Sequence, residues 1–343
     1  MLADVDGVIV GAGNPEGLPA VCSRLAVHQS VDSDILVLYR ESGESFHVPF
    51  NPRSVSDGKL AQSPLKRPAF LAIVSLESLV EALANSLTEP PDGFIIEHHT
   101  AGGHNAPPSG PLQKDSKGQP QYSVEDEPDL DAIREAGLPF WLAGGYSSSQ
   151  KLAQALAAGA VGVQVGSNFA LAEDAGMKSA YRTAILDALK KGTDDADLVH
   201  TTMYSPTGFP FKVAQLEGTL SQESVYSDRL RVCDIGLLQQ RGLSKPAADG
   251  SRRLFQRCPA APVAGYVSKR GLEFNTTERR CLCNGLLSTV GLGQMVKQDG
   301  EVSEEPAIVT LGNHLEGIRR LSRNGQHPYW ARDVVVDILG EGD

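Results

Sequence analysis

Short apolar runs ending near glycine, each followed by a stretch of helical spacing, set the rhythm of the first two-thirds of the chain. Asp6 to Val10 is the first run and breaks at Gly11-Ala12-Gly13-Asn14-Pro15, and Leu18 to Ala26 reads as the helix after it. The alternation resumes at Ala69-Phe70-Leu71-Ala72-Ile73-Val74. Leu79, Val80, Leu83 and Leu87 then line one face of a helix predicted from Leu76 to Leu87. Phe94-Ile95-Ile96, Phe140-Trp141-Leu142 and Ala160 to Val165 are further predicted strands. Helices predicted from Leu130 to Ala136 and from Ser149 to Ala158 lie between them. Short strands apolar on both faces, each followed by an amphipathic helix, predict an α/β fold built on a parallel sheet.

Two stretches interrupt this rhythm. Residues 34–66 are β-rich with Ser, Pro and Gly, and read as an insertion. Residues 105–128 are rich in Pro, Gly, Ser, Gln and charge, and read as a long mobile loop of the kind that covers a site. Beyond Leu171 a helix is expected to about Lys191, followed by Val199 to Tyr204 and then Ser205-Pro206-Thr207-Gly208-Phe209-Pro210. From about residue 218 helical patches alternate with irregular Pro/Gly-rich stretches, ending in a helix from Ala331 to Leu339. The chain therefore divides into residues 1–217 and a mostly helical and irregular C-terminal extension, 218–343, expected to be a cap or interaction region.

The 343 residues carry a net charge of -11, which argues against a nucleic-acid partner, since that would need a basic stripe. Cys22, Cys233, Cys258, Cys281 and Cys283 are few, scattered and odd in number, so a reducing, cytoplasmic setting is expected. Met1 to Asp6 lacks a basic and an apolar region of signal-peptide type, and no run is long enough to span a bilayer.

The candidate chemistry sits at the strand ends. Ala143-Gly144-Gly145 and Gly162-Val163-Gln164-Val165-Gly166-Ser167 close two predicted strands separated by one helix. Glycine presents bare backbone N–H groups to a phosphate, and Ser167 adds a hydroxyl. In a barrel of parallel strands, the loops after the last strands are a usual phosphate site. Ala101-Gly102-Gly103-His104 follows another strand, where His104 would supply a proton-transfer group near neutral pH. His98 and His99 are rivals, of which strand alternation would turn only one inward. Cys281-Leu282-Cys283 has one residue between its thiols, whereas zinc sites usually have two to four. A buried structural pair is expected there, and no metal.

In these residues the chain resembles the nitronate monooxygenases, formerly 2-nitropropane dioxygenases, and the related flavin-dependent enoyl-ACP reductases. The matching stretches are Glu97 through His104, Leu142 through Gly145, Gly162 through Phe169 and Ser205 through Pro210. Ser167 stands where the family usually has threonine. The resemblance, over roughly residues 5 to 215, implies a TIM barrel binding FMN non-covalently. Gly144, Gly145, Gln164, Val165, Gly166 and Ser167 would hold the phosphate and ribityl chain, while Glu97 and Gly102 would flank the flavin. His104 matches the family's catalytic histidine.

The family normally opens with a Gln-Gly-Gly-Met type strand and two further strand–helix units, and Val8-Ile9-Val10 aligns best with its fourth strand. The expectation is accordingly a barrel lacking its first strands, with Met1 an internal methionine of a longer protein. The reaction implied is O2-dependent oxidation of an alkyl nitronate or a similar carbanion-forming substrate. Two alternatives stand beside it: an NAD(P)H-dependent enoyl-thioester reductase of fatty-acid or polyketide synthesis, and a non-catalytic barrel relic acting as a binding protein. A small-molecule substrate is the expected partner, with neither nucleic acid nor membrane, and with a homo-oligomer as a further possibility.

Overall fold

The computed structural model describes residues 5–11, 13–56, 59–60, 63–85, 88–298 and 300–340. Five strands, Gly7–Val10, Ala69–Val74, Gly93–Glu97, Phe140–Ala143 and Gly162–Gln164, form one wholly parallel sheet. Their order across the sheet follows their order in the chain. A doubly wound sheet would reverse direction at a switch point, so this order is that of a barrel segment. The expected α/β fold with a parallel sheet is present.

The reason these runs became central strands is visible in their burial. Phe70, Phe94, Ile96, Phe140 and Leu142 are all at most 2% exposed, and they pack with Val80, Leu83, Ile133 and Ala155 from the crossover helices. The helices start where side chains can satisfy their free N–H groups. Asp129 accepts from the N–H groups of Asp131 and Ala132 ahead of Leu130–Glu135, and Ser148 Oγ accepts from Lys151 ahead of Ser149–Ala157. The helix after the second strand runs Glu77–Asn85; Leu87, expected at its end, lies outside the described residues, as does Ala12 in the first glycine turn.

In the expected insertion, Val31–Asp34 pairs antiparallel with His47–Phe50, and Val37–Leu38 joins a sheet with Gln240–Leu243 and Leu254–Arg257. The expected helix from Leu171 to Lys191 is shorter, Ser179–Lys190, preceded by a turn of helix at Ser167–Ala170. Val199–Tyr204 and Pro210–Ala214 form a hairpin, and Gly103–His104 adds to its edge. A second core joins Leu171, Ile185 and Leu189 to Val309, Leu311 and Ile338. Through it, residues beyond 300 pack against the segment that follows the parallel sheet, and Ala331–Leu339 lies on Ser149–Ala157.

The 105–128 segment holds one short helical turn, Val124–Asp126. Gln119 Oε1 ties it to the hairpin by accepting from Thr201 N at 2.6 Å, and a 2.8 Å Lys117–Asp197 ion pair ties it to the short helix Asp195–Leu198 just before. Among the described residues no helix is long and apolar enough to cross a membrane.

Candidate functional site

The C-terminal ends of Gly93–Glu97, Phe140–Ala143 and Gly162–Gln164 open into a cavity of about 300 Å³. All eight cofactor candidates read from the sequence line it: Glu97, Gly102, Gly144, Gly145, Gln164, Val165, Gly166 and Ser167. The glycine pair is required by its geometry. Gly144 and Gly145 have φ of 92° and 85°, and a Cβ on Gly144 would lie 3.0 Å from Thr100 Oγ1. Gly166 differs, since its backbone suits any residue and nothing lies within 4 Å of its missing Cβ. It is bare because the space in front of it is cavity.

This lining fits a phosphate-bearing cofactor. In the turn and loop hydrogen bonds of the described residues, the N–H groups of Gly145, Ser147, Gly166 and Ser167 donate to no backbone carbonyl. Asn168, also in the lining, is 1% exposed, yet its Nδ2 has no partner. A buried donor without an acceptor is costly and calls for a bound group or water.

The far wall comes from the C-terminal extension, in residues that the sequence did not single out. Thr310, Gly312 and His314 line the cavity. Gly312 N donates to Ser167 Oγ at 2.8 Å and Asn313 N to the Thr100 carbonyl at 3.1 Å. Gly102 and Gly312 are both needed where these backbones meet. A Cβ on Gly102 would sit 2.7 Å from the Leu311 carbonyl carbon, and one on Gly312 would sit 2.9 Å from Thr100 O.

His104 is not in the lining of this cavity. It pairs with Phe211 at the hairpin edge, its ring edge-on to the Phe211 ring with centroids 4.8 Å apart, and its buried Nε2 has no partner. Burial holds its pKa below the usual histidine value, favouring the neutral ring.

Neither His98 nor His99 lines this cavity; His98 lines a neighbouring one with Gly144 and Gly145, and His99 another with Tyr122. The strand ends at Glu97, so alternation no longer governs them, and their rings lie side by side with centroids 4.0 Å apart. His98 Nδ1 is 2.8 Å from Thr100 Oγ1 and its Nε2 is 3.0 Å from Glu127 Oε1. His99 stacks on Tyr122 with centroids 3.8 Å apart. The donor atoms of His98, His99 and Glu127 lie within 4.8 Å of one another, close enough to share a cation. His99, Tyr122 and Glu127 also line a second cavity, of about 550 Å³.

Between the two cavities stands a buried pair that the sequence did not reveal. Glu97 faces the first cavity and Lys212, only 1% exposed, faces the second. Lys212 Nζ donates to the His99 carbonyl. Burial pushes the Glu97 carboxyl up to about 7, against the opposing pull of Lys212, and burial pushes Lys212 down to about 7, against the opposing pull of Glu97.

A raised carboxyl contributes stability that is full below its unfolded value of 4.5 and lost as pH rises through about 7. A depressed lysine contributes stability that is full above its unfolded value of 10.5 and lost as pH falls through about 7. The pair therefore predicts a stability minimum near pH 7, with limbs on the order of 2 kcal/mol. Denaturant unfolding from pH 5 to 9 checks this. Glu97→Gln should remove the fall approaching pH 7, and Lys212→Met the rise above it. His99, depressed to about 4 chiefly by burial, contributes the opposite slope on the acid side, so the comparison is variant against wild type. A Glu97→Gln profile parallel to the wild type would exclude the assignment.

Residues 45–203 match the family model for nitronate monooxygenase. A nitronate monooxygenase, npaC of Metarhizium robertsii, is 28% identical over 162 residues, 47% of this chain and 38% of that protein. A (3aS,4S,5R,7aS)-5-hydroxy-7a-methyl-1-oxo-octahydro-1H-indene-4-carboxyl-CoA dehydrogenase of Mycobacterium tuberculosis is 32% identical over 126 residues, 37% of this chain and 30% of its own. The chain thus spans about a third of the length of these curated relatives. Among solved structures, FabK from Thermotoga maritima matches at 14% identity and a TM-score of 0.43, over 98% of this chain and 67% of that one. A nitroalkane oxidase from Streptomyces ansochromogenes matches at 22% identity and a TM-score of 0.31, over 43% of this chain and 39% of its own. The resemblance to nitronate monooxygenases read from the sequence is borne out over the matched residues.

Proposed function

We propose that this chain forms the FMN site of a flavin-dependent oxidoreductase of nitronate monooxygenase type, acting on a small carbanion-forming substrate with O2 in a cytoplasmic setting. The observation that carries this reading is the convergence of eight residues, from three strand ends, on one cavity. Gly144, Gly145, Gly166 and Ser167 would hold the phosphate through backbone N–H groups, with Gln164 and Val165 along the ribityl chain. Glu97 and Gly102 would flank the ring. Bound there, FMN would supply the redox chemistry. The protein's part is to orient the substrate and move its proton. His104 Nε2, buried and without a partner, is available to take that proton. In this reading residues 218–343 serve as a cap that also closes the cofactor cavity through Gly312.

The test is titration of FMN into the purified chain. One equivalent should bind, with quenched fluorescence and resolved visible bands; absence of binding at millimolar FMN would remove the flavin reading. The CoA-thioester named for the second relative favours one rival, an enoyl-thioester reductase. Anaerobic bleaching of the bound flavin by NADPH, and not by a nitronate, would select it.

A further inference from the structure

The expectation of no metal rests on the Cys281-Leu282-Cys283 spacing, whereas the fold gathers a different set of metal-ligating side chains. His98 and His99 follow the strand Gly93–Glu97, and Glu127, 29 positions beyond His98, ends the short turn Val124–Asp126. None of the three lines the cofactor cavity. Glu127 Oε1 lies 3.0 Å from His98 Nε2 and 3.9 Å from His99 Nε2, and one donor atom from each residue falls in a group within 4.8 Å. A hydrogen bond accounts for the first approach but not for the second, which is beyond its reach. Two imidazole nitrogens thus converge on one carboxylate oxygen.

We propose that His98, His99 and Glu127 ligate one divalent transition-metal ion of zinc type and leave a coordination position open. Two imidazole nitrogens with a carboxylate oxygen suit zinc and its neighbours, whereas magnesium and calcium take oxygen ligands. Bonds of about 2.0–2.1 Å at tetrahedral angles hold ligand atoms about 3.3 Å apart. The two approaches to Glu127 bracket that value.

Each ligand is held from behind. His98 N donates to the Ala143 carbonyl at 3.0 Å, which fixes its backbone to the parallel sheet. His98 Nδ1 is 2.8 Å from Thr100 Oγ1, and with that nitrogen donating, Nε2 presents its lone pair to the ion, as in metal-bound histidines generally. The opposing contact, from Thr100 N to Nδ1, is the longer at 3.4 Å. His99 stacks on Tyr122, whose hydroxyl accepts from Asn105 Nδ2 at 2.7 Å and donates to the Ala106 carbonyl at 3.0 Å. The capping box of Ser123 and Asp126 sets the turn that presents Glu127. Of the other charged groups near His99, Asp126 adds negative charge and Lys212 opposes it.

The open position gives the site a use. His99 and Glu127 line the 550 Å³ cavity, and His98 and Glu127 line the neighbouring one of about 280 Å³. Three protein ligands with a free fourth position are the arrangement of zinc sites that take water or a small ligand. The ligand class that fits is an oxygen donor, a carboxylate or carbonyl, entering from the larger cavity.

The experiment is calorimetric titration of zinc into the full chain, freed of metal by chelator and without flavin, so that its outcome is separate from that of the FMN titration. One equivalent should bind at micromolar zinc, undiminished by excess magnesium or calcium. His98→Ala and Glu127→Gln should each weaken binding about 100-fold or more, beyond the loss usual for an outer-shell change, while His327→Ala should leave it unchanged. Glu127 is exposed, so Glu127→Gln should unfold close to the wild-type midpoint without zinc and keeps the test independent of folding. The five free cysteines are rival ligands, and X-ray absorption of the zinc-loaded protein separates them from the histidines. Nitrogen and oxygen neighbours with the outer-shell scattering of two imidazoles support the site. Zinc held through sulfur, binding unchanged in both ligand variants, or no binding at micromolar zinc would overturn it.

Discussion

Gly166→Val is expected to abolish FMN binding, weakening it at least 100-fold, while leaving the unfolding midpoint of the cofactor-free protein close to that of the wild type. The two halves of this expectation have separate causes. The Gly166 backbone has φ of -114°, so valine meets no backbone strain, and no protein atom lies within 4 Å of the added Cβ. The side chain therefore projects into the cavity and displaces whatever approaches the Gly166 N–H. A loss of two or more decades corresponds to about 2.7 kcal/mol, in keeping with removing charge-assisted contacts to a phosphate and occupying their space. Gly144→Ala is the contrasting control. Its positive φ and a 3.0 Å approach to Thr100 Oγ1 make it perturb the protein itself, so stability should fall together with binding. Fluorescence titration and thermal unfolding of both variants check this. Stoichiometric, tightly bound FMN in Gly166→Val would remove the phosphate cradle from residues 144–167.

The parallel sheet could be read from the sequence because its strands leave continuous apolar runs such as Ala69–Val74 and Phe94-Ile95-Ile96, whose Phe70, Phe94 and Ile96 are buried against the crossover helices. The glycine cradle was legible for a related reason: a backbone that must approach a ligand or turn with positive φ leaves glycine at fixed offsets from a strand end. What escaped depends on distant segments meeting. Thr310, Gly312 and His314 reach the cavity through a core that joins Leu311 to Leu171, and no local pattern encodes that junction. Lys212 sits in Pro210–Ala214, buried along its whole length, where its charge looks like an ordinary surface position until Glu97 is placed nearby. His98 and His99 follow a strand that stops at Glu97, so their placement in two different cavities is set by the loop and by Glu127 and Tyr122 rather than by a strand pattern.

His104→Ala is expected to lower kcat for nitronate oxidation by about 100- to 10,000-fold, the usual contribution of a positioned general base, with FMN content unchanged. The second half follows from position, since His104 lies outside the lining of the cofactor cavity while Gly102, two residues earlier, lies within it. The first half rests on its chemistry. Its Nε2 is buried and unpartnered, and burial favours the neutral ring, the form that takes a proton. Because the pKa is lowered, the acid limb of kcat/KM against pH should fall below the ordinary histidine value of 6.5, and the alanine variant should lose that limb. A merely structural role would behave differently. Losing the edge-on contact with Phe211 would reduce stability and leave the pH dependence of the remaining activity as it was. Undiminished turnover in His104→Ala would remove this histidine from the mechanism. Attention would then pass to Glu97, whose carboxyl, pushed up to about 7 by burial, already faces the cofactor cavity and could exchange a proton near neutral pH.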